Sequence, residues 1–168
     1  MRRQRNRLQT FMRGDDMKKL FGIIFAIALA LNGPAWASNL CNVGITTAVT
    51  GSTTAAVSGF GAPTSMSVEG RFAYVASAAT SADVYVQTTI DGSNWFDVAN
   101  FHWTTASAWA LSNAVTGTSV PNVALGSGVL ASNTVQGGAL TNQYRCYITT
   151  AGTYGSGTNI TVNIYPRY

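Results

Sequence analysis

The run Asp83-Val84-Tyr85-Val86-Gln87-Thr88-Thr89-Ile90, then Asp91-Gly92-Ser93-Asn94, then Trp95-Phe96-Asp97-Val98-Ala99-Asn100-Phe101-His102-Trp103 decides the fold class. Its first part alternates. Val84, Val86 and Ile90 fall on one side, and Tyr85, Gln87 and Thr89 on the other. Period two marks a half-buried strand, because successive side chains leave the pleat on opposite faces. Asp91-Gly92 opens a turn: glycine takes a positive φ at no steric cost, and an aspartate side chain bonds the backbone just beyond it. Trp95 to Trp103 is again extended, so the whole predicts a β-hairpin with a four-residue connection.

The same alternation recurs on both sides of this hairpin. Met66, Val68, Phe72 and Tyr74 share one face of residues 66–74, interrupted only by Gly70. Tyr144, Cys146 and Ile148 alternate with Arg145 and Tyr147, and Ile160, Val162 and Ile164 with Thr161 and Asn163. The glycine-rich Gly152 to Asn159 between them predicts a second hairpin, and Pro166 sits just past it, where a missing N–H is harmless. Residues 104–136 are weaker, with apolar pieces at Trp109-Ala110-Leu111, Val120 to Leu125 and Val129-Leu130; Thr134 to Leu140 reads as one helical turn. No longer helical period is present. The chain is therefore expected to be all-β, an antiparallel β-sandwich of jelly-roll-like form, over residues 65–168. Residues 38–64, including the Thr-, Ser- and Gly-rich Thr47 to Ala62, are expected to be a flexible N-terminal arm.

Residues 1–37 read as leader. Lys18 and Lys19 precede twelve apolar or glycine residues, Leu20 to Leu31; Asn32-Gly33-Pro34 breaks the run, and Ala35-Trp36-Ala37 follows. Charge, apolar run and small residues in that order describe a secretory signal peptide. The run is too short for a bilayer core, which takes about 20 residues. Residues 1–16 carry five arginines and precede an equally good start at Met17. Cleavage after Ala37 predicts an exported domain with no remaining membrane segment, periplasmic or extracellular, or on a virion if phage-encoded.

Removal of the leader changes the charge. The whole chain is +4, but residues 38–168 hold Arg71, Arg145 and Arg167 against Glu69, Asp83, Asp91 and Asp97, so three minus four gives −1, with no lysine. No basic patch is left for nucleic acid. Cys41 and Cys146 make an even pair in an exported chain, which reads as a disulfide. Closing a loop of about 100 residues is worth about 4–5 kcal/mol in the chain-entropy model. Two separate thiols, or a lipidated Cys41, are the alternatives.

The residues offer little catalytic chemistry. His102 is the single histidine and lies in an aromatic strand, where a structural role is expected; no second histidine or cysteine set completes a metal site. Asp91 and Asp97 flank one turn, and paired carboxylates are what glycosidases use. However, Asp91 and Gly92 have a sufficient structural role in the turn. Neither a nucleophile elbow nor a phosphate loop is present, and no cofactor is expected. The aromatic residues are the better lead. Tyr85 and Tyr147 point opposite the apolar faces of their strands, and with Trp103 and Trp109 they form the expected binding surface; Trp95 and Phe72 are expected in the core. Rings exposed on a sheet serve protein interfaces or stack on sugars.

Val84 to Phe101, with its Val-Gln-Thr-Thr-Ile-Asp-Gly-Ser-Asn-Trp-Phe-Asp-Val-Ala core, and Tyr144 to Ile164, with Thr150-Ala151-Gly152-Thr153-Tyr154, carry a resemblance. Over about residues 65–165 the chain resembles small β-sandwich structural and accessory proteins of tailed bacteriophages and prophages. The resemblance implies a virion surface, capsid or tail accessory role, with protein partners or self-assembly and no catalytic residues. The alternative is a secreted bacterial surface or matrix module that binds a glycan.

Overall fold

The structure is a computed structural model, and it describes residues 37–115, 128–138 and 140–168. The expected leader and the alternative start at Met17 fall outside the described residues, Ala37 apart.

Nine strands are present among the described residues: β1 Ser38–Gly44, β2 Val49–Thr53, β3 Val57–Ser58, β4 Ser65–Ala73, β5 Ala79–Thr89, β6 Trp95–Trp103, β7 Ala108–Val115, β8 Gln143–Gly152 and β9 Asn159–Arg167. No helix occurs among the described residues. Sheet I has the order β1-β9-β4-β7. Sheet II has the order β2-β8-β5-β6, with β3 continuing the β2 edge along β8. All pairings between these strands are antiparallel. With β2 and β3 taken as one broken strand, this is an eight-strand double-sheet jelly roll. The β-sandwich expected from the alternation is the fold.

Alternation decides what each strand buries. Met66, Val68 and Phe72 of β4, Val84 and Val86 of β5, Tyr144, Cys146 and Ile148 of β8, and Ile160, Val162 and Ile164 of β9 fill the space between the sheets. Gly70 breaks the apolar face of β4 for a steric reason. A Cβ there would lie 2.8 Å from Phe101 Cγ and 3.0 Å from Trp103 Cζ2. The missing side chain lets the rings of β6 settle on β4, where Trp103 stacks on Phe72 at 5.4 Å and runs parallel to Phe101 at 5.7 Å. The Tyr144 phenol is also in the core, and burial pushes its pKa up to about 12. Cys41 of β1 and Cys146 of β8 form a disulfide, Cα to Cα 6.3 Å, that ties the two sheets across 105 residues of chain.

Four expectations are corrected. Residues 38–64 are not an arm: β1 pairs with β9, and β2 and β3 with β8, so the segment joins both sheets. The connection after β8 is not a hairpin turn, because β8 lies in sheet II and β9 in sheet I. Residues 153–158 arch between the sheets, held by Tyr154 N–H to Thr46 O at 3.1 Å and Gly155 N–H to Val75 O at 3.2 Å. Residues 134–138 form no helical turn; Val135 bridges Ala99 on the outer edge of β6. Finally, Ile90 has left the strand and is 79% exposed at the turn rather than sharing the buried face of Val84.

Candidate binding surfaces

The outer face of sheet II carries the first pair of expected site residues. Register places Tyr85 directly opposite Tyr147, with ring centroids 5.9 Å apart. Both are half-buried, as the chain lies close around them. A Cβ on Gly128 would meet Tyr147 Cε1 at 3.1 Å, and one on Gly51, at φ +73°, would meet the Tyr147 hydroxyl at 2.7 Å. Burial is the main cause that raises the Tyr85 pKa.

The adjoining row is polar and closed. Gln87 Nε2 donates to Asp97 Oδ1 at 2.8 Å, Arg145 Nε donates to Gln87 Oε1 at 2.9 Å, and the Arg145 guanidinium lies 4.1 Å over the Trp95 ring. Asp97 Oδ2 accepts the N–H groups of Val129 at 2.8 Å and Leu130 at 3.1 Å. Asn133 N–H donates to Asn100 Oδ1 at 2.9 Å, and His102 N–H donates to Asn133 Oδ1 at 2.9 Å. Residues 128–136 thus form a strap across β6. Under it Gln87, Asp97 and Asn100 are buried although they point away from the core. Gln87 and Asp97 are bonded as buried polar groups usually are, whereas Asn100 accepts through its Oδ1 but buries its Nδ2 without a partner.

The outer face of sheet I is bare by contrast. Trp109 is 66% and Leu111 55% exposed, on alternate residues of β7. Their register partners on β4 are Arg71 and Glu69, which form an ion pair. Glu69 is itself buried, and the Tyr165 hydroxyl donates to its Oε2 at 2.5 Å. The Tyr165 hydrogen bond, then the Arg71 hydrogen bond, hold its carboxyl below the usual range against the opposing effect of burial, with a smaller contribution from the Trp109 indole. Asn39 Nδ2 donates to Asn163 Oδ1 at 3.1 Å farther along the same face. A shallow open groove lined by Arg71, Phe72, Ala73, Ser107, Ala108 and Trp109 adjoins the tryptophan.

The remaining residues separate cleanly. Trp103, expected on the binding surface, is a core residue at 5% exposure, stacked between sheets as described above. Trp95, expected in the core, lies outward beneath Arg145. Phe72 is buried as expected. Asp91 and Asp97 do not converge. Asp91 Oδ1 accepts the N–H groups of Ser93 at 2.9 Å and Asn94 at 2.7 Å, and Oδ2 accepts from Asn94 Nδ2 at 2.6 Å. These bonds, the backbone ones first, hold its carboxyl far below the usual range. Gly92 takes φ +77° in the same turn. His102 Nδ1 lies 2.8 Å from Asp83 Oδ1, directly across the β5–β6 register. No group of three His, Cys, Asp or Glu able to hold a metal occurs among the described residues.

Sequence reading overlooked Glu69, Leu111 and the Gln87–Asp97–Arg145 row. Leu111 had a signal, since it follows Trp109 at strand spacing. Comparison with protein-family models, curated proteins and solved structures finds no match.

Proposed function

We propose that this chain is a non-catalytic, exported binding protein of the virion structural or surface-decoration kind, and that it meets its partner through the outer face of sheet I. The observation that carries this reading is Trp109 beside Leu111, both open to solvent on a stiff sheet. Large apolar side chains exposed together mark contact sites, and tryptophan is among the residues that dominate interface energies. The platform beneath them is rigid. Arg71 and Tyr165 both bond Glu69, and the disulfide fixes sheet I to sheet II, so little order has to be gained on binding. Jelly rolls serve in viral capsids, which fits this reading, although a fold hosts many functions and the site must carry the case. A disulfide also suits an oxidising compartment.

One observation favours a second reading, a glycan-binding surface module. The exposed Trp109 ring lies beside carboxylate, guanidinium and amide groups on one flat face, and sugars are held by ring stacking with hydroxyl hydrogen bonds around it. Lectin domains also use this architecture. Trp109→Ala separates both readings from a purely structural role. Incorporation into virions, or retention on a glycan array, should be lost while the melting temperature stays within a few degrees. Unchanged incorporation and unchanged glycan retention would remove sheet I as the contact face.

A further inference from the structure

A two-sheet sandwich has four open edges, each a row of unpaired N–H and C=O groups able to pair with another chain, and proteins blunt such edges with bulges, short strands, charges, proline or cover. Three of the four are blunted here. The β1 edge is bulged between Asn39 and Cys41. The β2–β3 edge is broken into strands of five and two residues, with a register shift between Val49 and Ser52. The β6 edge is covered by the strap, through Asn100 N–H to Thr134 O at 2.9 Å and Gln136 N–H to Val98 O at 2.7 Å. The β7 edge has none of these devices. It runs eight residues, keeps unbroken register with β4 from Ala108 to Val115, and contains no charge and no proline. No described residue pairs with its far side.

We infer that the occupant of this edge is a second copy of the chain, its β7 laid antiparallel against the first, so that two four-stranded sheets become one of eight strands. Three features select a second copy. An antiparallel strand pair is self-complementary about a two-fold axis normal to the sheet, which leaves the outer faces of both copies on the same side. β7 carries no charge to oppose its own image, and the nearest charges, Glu69 and Arg71, already neutralise each other on β4. The other edges among the described residues are blunted, so an open β7 finds its matching edge in another β7. Growth then stops at two, since no open edge is left among the described residues to propagate a fibre. Strand pairing also brings the Trp109 and Leu111 side chains of both copies onto one face, where aromatic and aliphatic cross-strand pairs are favourable. The pairing uses the edge of sheet I and leaves its face open, so it does not rest on the partner proposed above.

Sedimentation velocity of the protein made from its full-length gene tests this. The unsubstituted chain should sediment as a dimer, and Leu111→Lys and Trp109→Lys, which place the usual edge-protecting residue on exposed positions, should sediment as folded monomers with an unchanged β-sheet circular dichroism spectrum. A monomer at every concentration, or a dimer that survives both lysines, overturns the inference. Should either lysine variant fail to fold, amide exchange of the unsubstituted chain decides. The β7 amides that face away from β4 should be protected at high concentration and exchange freely on dilution; free exchange at all concentrations overturns the inference as well. A dimer that binds neither virion nor glycan would sustain this inference while removing the proposed function.

Discussion

The outer faces of the two sheets are built from similar strands and end in opposite states. On sheet II the polar side chains of Gln87, Asp97 and Asn100 are spent on Arg145 and on the chain's own strap, and the tyrosine pair is half covered. On sheet I nothing among the described residues crosses the face, and Trp109 and Leu111 stand in water. A face that satisfies its own groups gains stability and gives up recognition. A face that leaves rings exposed stands ready for a partner. Substitutions on sheet II should therefore unfold or loosen the protein, and substitutions on sheet I should change what it holds.

The largest effect should come from the tie between the two. Cys146→Ala removes a buried cross-link closing a loop of 105 residues and should cost about 4 kcal/mol, read as a drop in the urea midpoint with a steeper slope, since the unfolded chain expands without its cross-link. Asp97→Ala comes next. It strands the Val129 and Leu130 N–H groups and one Gln87 donor, for a loss of about 3 kcal/mol. Proteolysis should then begin within 128–136, and cleavage elsewhere first would show that the strap does not depend on this carboxylate. Tyr147→Ala opens the half-buried pair and should cost about 1–2 kcal/mol without changing partner capture. An equal loss of capture would make sheet II a contact face too.

Acid should sharpen the contrast at a smaller scale. Asp91 and Glu69 both hold folded pKa values below their unfolded ones, so the unfolded chain binds more protons as pH falls. Their contribution is complete above about pH 4–5, near the unfolded carboxylate values, and is lost below that. Urea midpoints measured between neutral pH and the acid range should fall accordingly. Asp91→Asn, which keeps an acceptor for the Ser93 and Asn94 amides but no charge, should flatten part of that fall. An unchanged profile would mean the turn bonds contribute nothing through charge.

Strand burial was legible because alternation at 66–74, 143–149 and 159–165 is a local property of a half-buried strand. Pairing was not, because it is set by distant chain. The sequence around Gly152 to Asn159 looks the same whether the next strand stays in the sheet or crosses to the other. The Thr- and Ser-rich residues 38–64 become strands only because β8 and β9, more than 80 residues away, supply edges to pair with. The faces of Trp95 and Trp103 are not legible from alternation, which would put both on one side. Val86 pairs with Ala99 and Gln87 with Asp97, so β6 carries an extra residue at Val98. That bulge reverses the parity of the strand. Trp95 therefore faces out and Trp103 in, although both occupy odd positions.

The most direct test of the contrast sets Trp109→Ala beside Asp97→Ala, with melting temperature and partner capture measured on the same samples. The account predicts that Trp109→Ala melts with the unsubstituted protein and captures nothing, while Asp97→Ala melts clearly lower and still captures its partner below its melting point. Full capture by Trp109→Ala together with lost capture by folded Asp97→Ala would contradict it, and would place the working face under the strap of sheet II.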